Sequence, residues 1–106
     1  MNVKNNKRRR ESQEKIEKAF IELLQTREIK GITVSDIIKN TGLNRSTFYA
    51  NYIDIFDLAD KTREKLENEF SNLFANYNYL NERSGALKMF THIKENQIFY
   101  KTYFKL

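Results

Sequence analysis

The chain has 106 residues, 40% of them hydrophobic and 13% aromatic, enough for one small helical core and part of another. It contains no cysteine and no proline, which removes disulfide scaffolds, cysteine-based zinc sites and thiol chemistry and leaves long helices unobstructed. Five of its 19 basic residues lie in the first ten positions with no acid beside them, leaving 14 basic against 14 acidic elsewhere, so the formal charge of +5 belongs to the N-terminus.

Those first ten residues show no helical periodicity. They read as a flexible basic arm in which Lys7, Arg8, Arg9 and Arg10 are suited to phosphate contacts, each of which releases counterions. No apolar run follows the charges, so the segment is not a signal peptide. No stretch approaches the roughly 18–20 apolar residues of a membrane span, and the reading is of a cytoplasmic chain with no membrane partner. A first helix is predicted from Ser12 to Arg27, because Ile16, Ala19, Phe20, Leu23 and Leu24 recur at the spacing of one helical face. Gly31 lets the chain turn, and Ile32 packs back onto that face.

Thr33 opens a second helix as N-cap, with Asp36 three residues on as the acidic half of a capping box. Ile37 and Ile38 point inward there, Ser35 and Lys39 outward. Gly42 ends the helix as its left-handed turn residue, Leu43 fills the core, and Asn44 caps a third helix. Phe48 and Tyr52, four apart, face inward, which leaves Arg45, Ser46, Thr47, Tyr49, Ala50 and Asn51 on the other faces. Two short helices about a glycine turn, the second displaying hydrogen-bonding side chains, form the layout of a helix-turn-helix that places its second helix in the DNA major groove. Arg45 can take a guanine edge in a bidentate contact, or be a solvated surface arginine; Thr47 can meet a thymine methyl or a phosphate, or lie idle on the surface. Asn51 is a candidate backbone contact.

A long fourth helix is expected from Asp54 to Leu80, with Leu58, Ala59, Leu66, Phe70, Leu73, Phe74 and Tyr77 along one stripe. Asp54, Asp57, Asp60, Glu64 and Glu67 read as its solvated face. Ser84 and Gly85 restart the chain; Leu87, Phe90 and Ile93 make one stripe, and a break falls near Asn96. Ile98, Phe99, Tyr100, Tyr103, Phe104 and Leu106 then crowd the last nine residues, an apolar excess that predicts self-association and no enclosed effector site. His92, the lone histidine, reads as a surface or interface residue. Without a second histidine or a paired carboxylate it makes no metal site, and no cofactor is implied. The chain lacks a nucleophile–base constellation and a phosphate-binding glycine loop, so an enzyme is not expected.

Residues Ser12 to Lys61 resemble the N-terminal DNA-binding domain of the tetracycline-repressor (TetR/AcrR) family of bacterial transcriptional regulators. The resemblance rests on Phe20-x-x-Leu23-Leu24, on Gly31-Ile32-Thr33-Val34-x-Asp36-Ile37, on Thr41-Gly42-Leu43, and on Ser46-Thr47-Phe48-Tyr49-x-x-Tyr52 followed by Asp57-Leu58. A weaker likeness joins residues 92–100 to the regulatory domains of some Gram-positive members. The resemblance implies a homodimer on a palindromic double-stranded operator, with repression by occupancy. It places Arg45, Ser46 and Thr47 at base contacts, and Thr33, Tyr49 and Asn51 at phosphates. A small-molecule effector is implied only if the full-length chain is longer. The sequence departs from the family where Ile38 replaces a small residue and Ile55 a phosphate-reaching lysine, and the family's pocket and dimer helices lie beyond position 106. The expected architecture is all-α: a flexible arm (1–10), a three-helix, homeodomain-like helix-turn-helix head (11–53), and a long linking helix with one or two further helices, the start of an incomplete regulatory or dimerisation domain (54–106). The alternative is a small helical interaction module, or an inactive fragment, that keeps the helix-turn-helix fold.

Overall fold

The structure, a computed structural model, describes residues 3–77 and 82–104. Among these, all regular structure is helical: α1 (Val3–Leu24), a 3-10 turn (Ile29–Gly31), α2 (Val34–Thr41), α3 (Arg45–Asn51), α4 (Ile55–Tyr77), α5 (Glu82–Glu95) and α6 (Gln97–Phe104). The chain divides into two compact units, 1–59 and 60–106.

In the first unit α1, α2 and α3 pack on one another in every pairing. The expected stripe is the core face of α1: Ile16, Ala19, Phe20 and Leu24 are buried, with Leu23 half-buried. Ile32, Ile37, Phe48 and Tyr52 complete the core together with Ile55, Leu58 and Ala59 from the start of α4. Phe20, Phe48 and Ile37 are almost wholly enclosed, and each such burial is worth about 1.5–3 kcal/mol. Ile38 is only half-buried, because helical rotation puts Ile37 at the centre of the inward face.

The helix ends follow their caps. The Thr33 hydroxyl accepts from the Asp36 amide at 3.1 Å, and the Asp36 carboxylate takes the Thr33 amide at 3.0 Å, which completes the capping box. Gly42 closes α2 at φ 74°, its amide donating to the Ile38 carbonyl at 2.9 Å. Asn44 Oδ1 receives the Thr47 amide at 2.9 Å and starts α3. Asp54, exposed as expected, also caps α4 by accepting the Asp57 amide at 2.8 Å; Asp57 in turn accepts the Ile53 amide at 2.8 Å.

The N-terminus corrects the expectation. Residues 3–10 are not an arm separate from α1; they are its first turns. No glycine or proline interrupts residues 1–30, and lysine and arginine are good helix formers, so a helix seeded by the Ile16–Leu24 face propagates backward. The C-terminal end lies at Leu24, short of the expected Arg27, after which Thr26 and Arg27 both donate to the Leu23 carbonyl.

In the second unit the inward faces also differ from expectation. Leu87, Phe90 and Ile93 are 60%, 72% and 42% exposed, while His92, expected at the surface or at an interface, is buried. The covered face of α5 runs instead through Met89 and His92 and continues to Asn96 just past its end, three and four apart. The Tyr100 hydroxyl donates to the Leu66 carbonyl at 3.2 Å and lies 2.9 Å from His92 Nε2; His92 Nδ1 stands 3.6 Å from a Glu69 carboxylate oxygen. Burial first, then the Glu69 and Glu67 carboxylates, raises the Tyr100 phenol above its ordinary range. Phe99 is fully buried, so the crowded C-terminal segment is not wholly an exposed patch. Leu80, Leu106 and the side chains of Phe74, Tyr77, Tyr103 and Phe104 lie outside the described residues.

Candidate nucleic-acid interface

The exposed side of α3 is assembled by its two ends. At the N-terminal end Asn44 Oδ1 is a hub, accepting the Ser46 hydroxyl at 2.7 Å and the Thr47 hydroxyl at 2.9 Å besides the Thr47 amide. Both hydroxyl hydrogens are thus committed to the cap. Toward a partner these side chains offer acceptor lone pairs and, at Thr47, a methyl group. Arg45 is exposed, and its guanidinium donates to the Ser35 hydroxyl of α2, which ties the two helices together on their outer face.

Tyr49 and Ala50 are exposed beside them. The Tyr49 ring is 53% exposed and stands edge-on to Phe48 with centroids 5.3 Å apart, so a buried aromatic props an outward phenol. Thr33, exposed at the first turn of α2, is occupied by its capping box with Asp36. The Asp36 carboxyl is held below its ordinary range by the Thr33 amide and hydroxyl, with a further contribution from Arg27, whose guanidinium donates to it at 2.8 Å.

Asn51 does not stand where the sequence reading put it. It is 8% exposed, its Oδ1 accepts from Arg9 Nε and from Gln13 Nε2, each at 3.1 Å, and its Nδ2 donates to the Thr47 carbonyl at 2.9 Å. A buried amide with both ends engaged holds the end of α3 to α1. Lys7, Arg8, Arg9 and Arg10 are exposed on the first turns of α1. An open groove is lined by Arg8, Arg9 and Ser12 on one side and by Ser46, Thr47, Ala50 and Asn51 on the other, so the basic start of α1 and the outer face of α3 form one surface. Ile55, where a phosphate-reaching lysine was absent from the sequence, is buried in the core.

Among the described residues no acidic side chain lines this groove, and no group of three potential metal ligands occurs. No described helix is long and apolar enough to cross a membrane.

A capped two-helix pair about a left-handed glycine, docked on a longer first helix, defines an all-helical helix-turn-helix protein. Comparison with known proteins narrows this class. The chain is 34% identical over 99 residues to the HTH-type dhaKLM operon transcriptional activator DhaS of Lactococcus lactis subsp. lactis (strain IL1403), a match covering 88% of this chain and 49% of the relative. It superposes on the crystal structure of a TetR transcriptional regulator from Streptococcus agalactiae with a TM-score of 0.58 and 29% identity, over 89% of this chain and 52% of that one. No protein-family profile matches the chain. The chain has a TetR-like helix-turn-helix fold, and it spans about half the length of the relatives it matches.

Proposed function

We propose that the chain binds double-stranded DNA sequence-specifically as a TetR-type transcriptional regulator, with α3 entering the major groove. The observation that carries this reading is the continuous surface joining the outer face of α3 to the basic first turns of α1. In this reading Arg45, Ser46 and Thr47 meet base edges, and Tyr49, Thr33, Lys7, Arg8, Arg9 and Arg10 meet phosphates. Phosphate contacts set affinity and register, and base contacts set sequence. Two copies bind the halves of a palindromic operator, with recognition helices about 34–36 Å apart.

The test is a salt titration of binding, by fluorescence anisotropy, to random duplex and to the best duplex selected from a random pool. A steep fall of log affinity with log salt, together with an enriched sequence, supports the reading; no binding to either duplex overturns it.

Occupancy of an operator represses transcription by exclusion, and repression is the first reading of the outcome. Activation is the second, favoured by the L. lactis relative, which is an activator. A reporter fused to the selected operator separates them by the sign of its response. A helical interaction module is the remaining alternative, and the exposed Leu87, Phe90 and Ile93 favour it. Retained partner binding with no DNA binding would establish that alternative.

A further inference from the structure

The recognition helix of this protein is seven residues long, two turns that are not stable by themselves. Its placement is therefore decided by what grips it. Phe48 anchors its buried face, and the Asn44 hub fixes its first turn. Its last turn is gripped by a polar contact from far away in sequence. Asn51 Oδ1 receives Arg9 and Gln13, which lie one helical turn apart on α1, and Asn51 Nδ2 holds the Thr47 carbonyl in the middle of α3. The amide is 8% exposed, so these bonds form where water competes weakly and their loss would leave buried polar atoms unpaired.

Arg9 belongs to two systems at once. One of the five N–H donors of its guanidinium is spent on Asn51, and its charge lines the same groove as Ser46 and Thr47. A phosphate seated on Arg8 and Arg9 would thereby be tied through Asn51 to the helix that reads the bases.

We propose that Asn51 is a positioning residue for sequence readout, clamping α3 to the basic first turns of α1 so that backbone contact and base contact are made in one fixed register. The inference rests on the DNA-binding reading above. It assigns Asn51 no contact with DNA, and it gives Arg9 a geometric role beyond its charge.

The experiment measures affinity of the full chain and its variants for the selected duplex and for random duplex across a salt series, with folding checked by circular dichroism. Asn51→Ala is expected to lower the selected-to-random affinity ratio by at least about fivefold, the low end of a lost bidentate base contact, with the salt slope of random binding kept. Arg9→Lys retains the charge but loses the Nε donor, and is expected to lower the ratio as well, by less than Asn51→Ala because the Gln13 and Thr47 bonds of Asn51 remain. Arg9→Gln should lower the ratio and also reduce the salt slope by about 0.9, one phosphate. The double variant Arg9→Lys with Asn51→Ala should be no worse than Asn51→Ala alone, because that substitution already removes the Arg9 contact.

A role confined to stability would lower both affinities together and leave their ratio intact, which would overturn the proposal. Arg9 is exposed, so Arg9→Lys decides the question if Asn51→Ala fails to fold. A wild-type ratio in Arg9→Lys overturns the clamp while leaving DNA binding standing. Absence of DNA binding by the wild type overturns the functional reading and this inference together.

Discussion

At the scale of single residues, the interface separates groups that face outward from groups that hold them. Arg45 is exposed at the first position of α3, and Tyr49 presents its phenol one turn later. Arg45→Ala is therefore expected to lose discrimination between selected and random duplex, by roughly the 1–3 kcal/mol of a bidentate base contact. Tyr49→Phe, lacking only the hydroxyl, should weaken both bindings alike. Equal losses on the two duplexes for Arg45→Ala would remove its base-reading role. The Thr33–Asp36 cap gives a prediction about stability: Thr33→Ala should cost about 1 kcal/mol in chemical denaturation. The folded state lowers the Asp36 carboxyl below its unfolded value, so its contribution is present above the unfolded value, near 3.9, and is lost as pH falls through the lower folded one. Melting temperatures of wild type and Asp36→Asn should converge at the acid end and diverge above about pH 4.

At the scale of elements, the turn between α2 and α3 depends on one backbone conformation. A Cβ at Gly42 would meet nothing within 4 Å, so the cost of Gly42→Ala lies in the φ of 74° alone, about 1–2 kcal/mol. Urea unfolding should show that loss, and a smaller one for Gly42→Asn, which tolerates the left-handed region better. The basic start of α1 makes a second prediction. Because residues 3–10 are helical and Arg9 bonds to Asn51, deleting residues 2–10 should flatten the salt slope and also impair discrimination. A detached arm would change the slope alone. The helical periodicity of this segment was present in the sequence, but among polar residues: Asn6, Arg9, Arg10 and Gln13 line one cleft at three- and four-residue spacing. A search for apolar stripes passes over it.

At the scale of the whole molecule, the second unit exposes Leu87, Phe90 and Ile93 along α5. Exposed apolar surface of this kind drives association. The chain is expected to sediment above monomer mass at high concentration, and the pair Leu87→Glu and Phe90→Glu to restore the monomer; a monomeric wild type would remove this stripe from self-association. The helix-turn-helix was legible from the residues because its determinants are local. Thr33 pairs with Asp36 and Asn44 with Thr47 three positions apart, Gly42 bonds back four positions to Ile38, and the Ile16–Leu24 stripe repeats within one helix. The internal engagement of Asn51 was not legible, because its partners Arg9 and Gln13 are 42 and 38 positions away. The α5 stripe was misjudged, and the two readings of His92 stayed open, for a related reason: periodicity shows that a helix has two faces, and only a neighbour decides which is covered. Tyr100, reaching back 34 positions to Leu66, makes that decision for His92. By itself the sequence determined the helices of the head, their caps and the turn between them, since those energies are settled within a few residues. The tertiary structure decided which polar side chains are spent inside and which remain for a partner, because that depends on distant segments meeting.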